Sequence, residues 1–432
     1  MEKDSMLYNN YIKILEYELV PATGCTEPVA LAYAAAKARS VLGQIPENVE
    51  VEVSGNIIKN VKSVVVPNTG GMKGIEAAVA AGVVAGDEEA ELEVVQKITR
   101  EEQEKIHRYL ETHTIDVIPS RRGKVFYIDI KVTKGNNTAR VVIEDHHTNI
   151  THISLNGEVI INKGEGELST HAGEGKLDYD LLNVKDIIDF ANSVDIEDIR
   201  HIIGRQADYN FKISREGLNN NWGAAIGKTL ILARGNDIKV RVCAAAAAGS
   251  DARMSGCELP VVIVSGSGNQ GITASVPVIE YARFINASEE KLLRALVLSD
   301  LLTIHQKSSI GRLSAFCGAV SAGAAAAAGI AYLLGYGNDV IEHTIVNALG
   351  IISGMVCDGA KPSCAAKIAM AVEAGLLGFE MYVCGQKQFF NGEGIIKKGV
   401  DNTIRTVGRL ARKGMQDTDY EILDIMTQKE AT

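Results

Sequence analysis

Hydrophobic positions recur at helical spacing in three segments of the N-terminal part of the chain. Residues Leu7 to Glu18 have this spacing and predict an amphipathic helix. A second helix is predicted from Glu27 to Val41, with Thr26 as its N-cap and Pro28 in its first turn. An Ala-rich helix is predicted from Ile75 to Ala85.

Other segments alternate β-branched and polar residues, which is the pattern of strands. Residues 48–56 and 62–67 predict two short strands. From 115 to 162 the strand-like runs VFYIDIKVT, ARVVIED, THISL and EVIIN follow one another, with turn signals between some of them. They predict an antiparallel sheet of three to five strands. The polar, Gly-rich segment 163–176 is the best linker candidate.

Beyond Leu181 the chain is dense in Ala and Gly, which predicts closely packed, buried helices. We therefore predict an α+β fold in which a large Ala/Gly-rich helical domain (181–432) carries Cys317, Cys357 and Cys364, the candidate ligands of an iron–sulfur cluster. A smaller α+β domain (1–180) contains the Cys25 loop and the antiparallel sheet. Residues 315–334 carry no formal charge, but their Ala and Gly content favours a buried helix over a membrane span.

Composition narrows the functional classes. The net charge of −10, without a concentrated basic face, argues against nucleic-acid binding. Seven cysteines are spread along the chain without the spacing of a small disulfide-rich domain, which favours a reducing cytoplasm. The N-terminus lacks a basic region followed by an apolar core, so no signal peptide is expected.

Three cysteines near predicted helix ends suit a metal centre. Cys317, Cys357 and Cys364 lie beside Gly, Asp, Pro or Ser, where a thiolate is stabilised and a cluster can approach the backbone. Three thiolates leave one iron of a four-iron cluster without a protein ligand, and that iron can act on substrate as a Lewis acid. This favours an enzyme over an electron carrier. Cys243, Cys257 and Cys384 have weaker contexts.

The motif PATGCTEP places Cys25 just before a predicted helix N-terminus. Free backbone N–H groups there favour anions, so we expect either a partly ionised thiol or a docked substrate carboxylate. The simpler alternative is a turn with Cys25 as a small buried filler.

The segment 266–271 matches GxGxxG, the dinucleotide-binding pattern. The acidic residues at the required distance, Glu289 and Glu290, lie in a predicted helix, and Pro277 interrupts the segment early. A Gly- and Ser-rich loop that holds a carboxylate or an amine through backbone groups is the better interpretation.

Several isolated polar residues remain as candidates. His305 and Lys307 precede Cys317 and offer a base or a carboxylate partner, or else form a solvated helix end. His146 and His147, next to Asp145, are expected in an exposed polar turn rather than as a metal pair.

Four segments together resemble the L-cysteine desulfidase family, which is related to the iron–sulfur L-serine dehydratase α chain. They are PATGCTEPVALAYAAAKA, GSGNQGITASVP, KSSIGRLSAFCGAVSAGAAAAAG and CDGAKPSCAAK. The resemblance implies an oxygen-sensitive [4Fe-4S] enzyme that eliminates sulfide from L-cysteine and forms ammonia and pyruvate without pyridoxal phosphate. It also implies a small amino-acid substrate; no nucleic acid or membrane partner is expected, and a homo-oligomer is possible.

Carried onto matching positions, the resemblance implies that Cys317, Cys357 and Cys364 hold the cluster and that Cys25 is a non-ligand active-site residue. Cys25 is the leading candidate for the base, and Lys307 is the second. Amides and hydroxyls at helix N-termini are expected to bind substrate, from Thr23, Gly24, Thr26, Ser267, Gly268 and Asn269. The short spacing between Cys357 and Cys364 favours the desulfidase branch.

Three alternatives stay open at this point. An L-serine dehydratase would use the same cluster to expel hydroxide. An iron–sulfur sensor or redox protein would have four protein ligands and no substrate pocket. A pyridoxal-phosphate lyase would use Lys307 or Lys361 as its Schiff-base lysine.

Overall fold

The computed structural model describes residues 1–3, 5–163, 177–385, 389 and 392–427. Its helices are α1 (Met6–Glu18), α2 (Thr26–Leu42), α3 (Gly55–Val61), α4 (Gly74–Ala85), α5 (Arg100–Thr112), α6 (Val184–Ser193), α7 (Ile196–Asn219), α8 (Ile226–Arg234), α9 (Ile238–Met254), α10 (Gly268–Phe284), α11 (Glu289–Ile310), α12 (Gly318–Leu333), α13 (Asn338–Ile352), α14 (Ser363–Val383), α15 (Val400–Arg409) and α16 (Gln416–Thr427). Its strands are β1 (Pro21–Thr23), β2 (Asn48–Val53), β3 (Ile115–Pro119), β4 (Tyr127–Lys134), β5 (Asn137–Glu144), β6 (Ile150–Leu155), β7 (Glu158–Asn162) and β8 (Pro260–Val262).

The fold is α+β, as predicted, and the three helices predicted from periodicity correspond to α1, α2 and α4. One cap differs from the prediction: Cys25, not Thr26, is the N-cap of α2, with an extended backbone at φ −76° and ψ 134°. Thr26 is already helical, and its hydroxyl donates to the carbonyl of Gly266 at 2.8 Å. Apart from Lys163, the expected linker 163–176 lies outside the described residues.

The sheet has six strands in the order β3-β2-β4-β5-β6-β7, and all its pairings are antiparallel except β2 with β3. It exceeds the predicted size because β2 and β3 join the four later strands. The strand predicted over 62–67 is wrong, since only an isolated bridge between Val65 and Lys73 forms there. Asn68, Gly70 and Gly71 have positive φ angles that turn the chain back at once.

The alternation in β2 explains how the sheet packs. Val49, Val51 and Val53 are buried, while Glu50 on the opposite face pairs with Lys131 at 3.1 Å. The Ala-rich helix α2 packs on the buried face, against β4, β5 and β6. One face of the sheet is therefore core and the other carries charge.

The helical part is built around α12, which contacts α10, α11, α13 and α14. Small residues allow the close approach: a Cβ added at Gly323 would lie 2.5 Å from the backbone of Ala371. The charge-free segment 315–334 is thus a buried helix, as predicted. No helix among the described residues is long and apolar enough to cross a bilayer.

A two-stranded sheet joins the N-terminal part to the helical part. Strand β1 pairs antiparallel with β8, with Pro21 opposite Val262 and Thr23 opposite Pro260. Each of these strands runs through a short loop into a helix, β1 into α2 and β8 into α10. The pairing therefore brings the start of α2 close to the loop before α10. The domain division at residue 180 stays a prediction.

Candidate active site

The loops after β1 and β8 need special backbone conformations. Gly24 has φ +69°, and a Cβ there would lie 2.0 Å from Pro67 Cγ. Ser265 and Gly266 have φ angles of 49° and 79°. The hydrogen bond from Thr26 to Gly266 joins the two loops, so each fixes the other's position.

Two of the predicted ligands, Cys317 and Cys357, are held together by backbone hydrogen bonds. Cys317 N–H donates to the carbonyl of Met355 at 3.0 Å, and Cys357 N–H donates to that of Ala315 at 2.7 Å. Cys317 is the N-cap of α12. The register brings the two thiols close enough to form a hydrogen bond with each other.

The third predicted ligand, Cys364, lies in the first turn of α14 and is close to both of the others. It packs against a small buried cluster that contains Cys25, Val64 and Met254. The structure therefore brings Cys317, Cys357 and Cys364 together, with Cys25 on the side of Cys364.

The surroundings of this group shift the pKa values of its three thiols in different directions. The hydrogen bond from Cys317, together with the positive charges of Lys59 and Lys367, lowers the pKa of Cys357. The same hydrogen bond raises the pKa of Cys317, so the pair shares one proton. Burial raises the pKa of Cys364. Binding of a metal centre here would favour loss of the thiol protons of Cys317 and Cys364, because metals bind thiolates.

The chemistry of this donor set suits an iron–sulfur cluster. No three His, Cys, Asp or Glu side chains within the described ranges are grouped so as to hold one metal ion. Iron–sulfur clusters are held by cysteine thiolates, and three cysteines meet here. Three partly buried thiols, two of them at helix N-termini and with Lys59 and Lys367 nearby, have the softness that such a cluster needs.

The Cys25 thiol differs from the expectation of partial ionisation. Burial and the charge of Glu27 raise the pKa of Cys25 well above its usual value. Its thiol donates to Glu27 Oε2 at 3.1 Å. The Thr26 hydroxyl donates to the same oxygen, and Asn60 donates to Oε1, each at 3.1 Å. Cys25 is therefore a protonated thiol that already faces a buried, well-oriented proton acceptor.

Lys307 lies in the last turn of α11 and is buried, so the expectation of a solvated helix end is wrong. Burial lowers the pKa of Lys307 to about 8, against the opposing influence of Cys357 and Cys317. Its Nζ donates to the carbonyl of Arg312 at 3.4 Å, and no carboxylate pairs with it among the described residues. Lys361 instead forms an ion pair with Asp358.

The residues predicted to bind substrate lie on the two joined loops. Thr23 is fully buried, and its hydroxyl has no hydrogen-bond partner within the described structure. Ser267 caps α10 by accepting from the N–H of Gln270 at 3.4 Å. Asn269 Oδ1 accepts from Arg253 at 3.2 Å. Contrary to the sequence argument, α10 begins directly after this loop and continues through Pro277.

Sequence reasoning missed several charged residues that surround these loops. His147, expected in an exposed turn, is buried against Phe126 and Gly266, and burial lowers its pKa to about 4. Arg312 donates to the buried Glu18 at 2.9 Å. Among these neighbouring residues, only Glu27 could have been identified from the sequence, because it lies two residues after Cys25.

A cleft of about 960 Å³ opens beside the site and reaches Ser265 and Lys307. Basic residues outnumber acidic ones in its lining, although the whole protein carries a charge of −10. The basic ones are Lys59, Arg121, Lys124, Lys307, Arg312, Arg412 and Lys413, and the acidic ones are Glu18, Asp145 and Asp419. The cleft therefore favours the entry of small anionic molecules.

Comparison with known proteins agrees with this picture. Residues 89–424 match the family model described as serine dehydratase alpha chain. The chain is similar to a UPF0597 protein of Desulfitobacterium hafniense, with 55% identity over 99% of this chain and 98% of that protein. It is also similar to UPF0597 proteins of Lachnoclostridium phytofermentans (50% identity) and Finegoldia magna (48%), each over 97% of this chain and 100% of the relative.

Proposed function

Because the chain belongs to the serine dehydratase alpha-chain family, we propose that it is a carbon–sulfur lyase whose substrate is L-cysteine. The reaction is the α,β-elimination of L-cysteine to sulfide, ammonia and pyruvate. The observation that carries the proposal is the meeting of three partly buried thiols, Cys317, Cys357 and Cys364, with the Cys25–Glu27 pair beside them.

The proposed cofactor is a [4Fe-4S] cluster held by Cys317, Cys357 and Cys364. When bound, it would supply a Lewis-acidic iron for the departing sulfur. The N-terminal ends of α12 and α14 and the nearby lysines would balance its negative charge. The seven unpaired cysteines support a reducing compartment, and we propose the cytoplasm.

The chain's own residues would handle the proton. Cys25 gives its proton to Glu27 Oε2, and the resulting thiolate removes the α-proton of the substrate. As the Cα–H bond breaks, its electron pair forms the Cα–Cβ double bond and the Cβ–S bond releases sulfide. The 2-aminoacrylate that remains tautomerises and is hydrolysed to pyruvate and ammonia without any net oxidation. Lys307 offsets the negative charge near Cys317 and Cys357.

L-Serine dehydration is the second candidate, and the description of the matching family model favours it. The same residues would act, with hydroxide as the leaving group in place of sulfide. A thiolate leaves more readily than hydroxide because it is the weaker base, so the difference between the two substrates tests the proposal directly.

The experiment is anaerobic purification with iron and sulfide analysis, followed by pyruvate assays on L-cysteine and L-serine. We expect about four irons per chain and a higher kcat/KM for L-cysteine. Preference for L-serine would establish the second candidate, and a cluster without turnover would indicate a sensor or redox protein. Turnover that survives iron removal but is lost after borohydride treatment would indicate pyridoxal phosphate.

Single cysteine variants test the ligand set. Cys317→Ala, Cys357→Ala and Cys364→Ala should each lower bound iron and abolish activity. Cys243→Ala and Cys384→Ala are the matched controls and should keep normal iron content, because Cys243 contacts Glu373 in the middle of α14 and Cys384 caps the end of that helix opposite Cys364. Normal iron in one of the first three variants would remove that residue from the proposed ligands.

A further inference from the structure

Arg253 is a buried cation that has no acidic partner among the residues that the structure describes. It lies in the last turn of α9, and only 3% of its surface is exposed. Its Nη1 donates to Asn269 Oδ1 at 3.2 Å. Its Nε and Nη2 atoms are buried and have no hydrogen-bond partner within the described structure. Burying charged donors without partners is costly, so a ligand that pairs with them would gain correspondingly.

The two free donors have a specific geometry. Nε and Nη2 form one edge of the planar guanidinium, and their N–H bonds are parallel, which matches the two oxygens of a carboxylate. The third nitrogen, Nη1, is hydrogen-bonded to Asn269, which orients the guanidinium plane. The free edge is therefore preorganised for a planar anion with two oxygens.

The surroundings place this edge in the candidate site. A Cβ at Gly268 would lie 2.4 Å from Arg253 Nε, so the start of α10 can approach the guanidinium only with glycine at this position. The charge of Arg253 also acts on Cys25 and on His147. The free edge thus lies among the two joined loops and within electrostatic range of the thiol that faces Glu27.

We propose that Arg253 binds the α-carboxylate of the substrate through Nε and Nη2, and so selects amino acids with a free α-carboxylate. This proposal rests on the proposed function, because the carboxylate must be held while Cys25 removes the neighbouring α-proton. It makes Arg253 a substrate-binding residue that the sequence motifs did not indicate. Amines without the carboxylate, such as cysteamine, would lose this contact.

Binding of unreactive ligands tests the assignment without turnover. L-Alanine has the carboxylate but no leaving group, and ethylamine is its counterpart without the carboxylate. Calorimetry on the anaerobic holoenzyme should show that Arg253→Gln weakens L-alanine binding by roughly 10- to 100-fold, the range for a lost charge-assisted contact. Ethylamine binding should not change. Arg253→Lys should restore part of the lost affinity for L-alanine, since lysine keeps the charge but not the two parallel N–H donors.

The control is Arg241→Gln, on the same helix, where the guanidinium pairs with Glu280 away from the site. It should leave both ligands unaffected. If Arg253→Gln fails to fold, Asn269→Ala and Arg253→Lys replace it, and each should weaken L-alanine alone. Equal weakening of both ligands, or no change in either, would overturn the assignment.

The outcomes separate the two proposals. If the protein forms no pyruvate from L-cysteine but Arg253 still discriminates L-alanine from ethylamine, the carboxylate site stands and the desulfidase function is refuted. If the protein converts L-cysteine but Arg253→Gln does not change the discrimination between L-alanine and ethylamine, the desulfidase function stands and the carboxylate site is refuted.

Discussion

Replacing Glu27 with glutamine removes the proton acceptor of Cys25 with little change in shape. In the structure Glu27 is 7% exposed and accepts hydrogen bonds from Cys25, Thr26 and Asn60. The amide of glutamine keeps one acceptor oxygen but turns donor hydrogens toward part of this set. The thiol proton then has no carboxylate to move to, so the Cys25 thiolate becomes much harder to form.

The expected loss follows from the role of the carboxylate. Proton transfer through a positioned group contributes about 10²- to 10⁴-fold, so kcat for Glu27→Gln should fall by that factor, or about 2.7–5.4 kcal/mol in activation free energy. Unpaired donors should also lower the unfolding free energy by about 1–3 kcal/mol. Bound iron should not change, because Glu27 is not among the proposed ligands.

The assay is initial pyruvate formation under anaerobic conditions, with iron content and thermal unfolding measured on the same preparation. Glu76→Gln is the matched control, because Glu76 is also an acidic residue in the first turn of an Ala-rich helix but is exposed. It should affect only the helix-dipole contribution to stability, about 0.3–1 kcal/mol.

A double variant refines the test. If Cys25 and Glu27 act on one proton, Cys25→Ala combined with Glu27→Gln should be no slower than the worse single variant. Strictly additive losses would refute a shared proton. Near-normal turnover in Glu27→Gln would refute the whole argument and leave Lys307 as the candidate base.

Three further outcomes follow from the structure. Burial raises the pKa of Asp300 from its usual value of 3.8 to about 8, so the folded state retains a proton that the unfolded chain releases. The unfolding free energy should therefore fall as pH rises from about 4 to about 8, and Asp300→Asn should remove most of this slope in urea titrations. A Cβ at Gly271 would lie 2.1 Å from the carbonyl oxygen of Val262, so Gly271→Ala should lower both the melting temperature and the activity. Gly204 is the control, because it has open space around it, and Gly204→Ala should raise the unfolding free energy by about 0.5–1 kcal/mol. Because the cleft is basic, inhibition of turnover by the small anion pyruvate should weaken as salt rises, and a flat salt response would contradict electrostatic attraction.

The sequence was informative wherever structure depends on neighbouring residues. Helices α1, α2 and α4 follow the spacing of their own apolar residues, and the sheet follows the alternation along each strand. The segment 62–67 shows the limit: its β-branched residues match a strand, but positive φ angles from Asn68 to Gly71 close a loop before a partner can pair. In this segment the geometry of the turn overrides the strand propensity of the β-branched residues.

The site could be predicted less well from the sequence, because its residues are distant from one another along the chain. The cysteine residues were identifiable one by one, but the ladder that sets Cys317 against Cys357 joins segments forty residues apart and has no linear signature. His147 and Arg253 look like ordinary surface residues in the sequence. Only folding reveals that both are buried beside the 266–268 loop. Ionisation could not be predicted either, since burial outweighs the helix N-terminus at Cys25.

The hydrogen bond between Thr26 and Gly266 also bears on how the molecule is made. The two residues are 240 positions apart, and β1 has no other strand partner among the described residues. During translation, β1 and the Cys25 loop must therefore wait, unpaired, until β8 and the loop after it have left the ribosome. The segments with Cys317, Cys357 and Cys364 emerge later still. Any inorganic group that these cysteines hold must accordingly be delivered after most of the chain has been synthesised, to an almost complete protein.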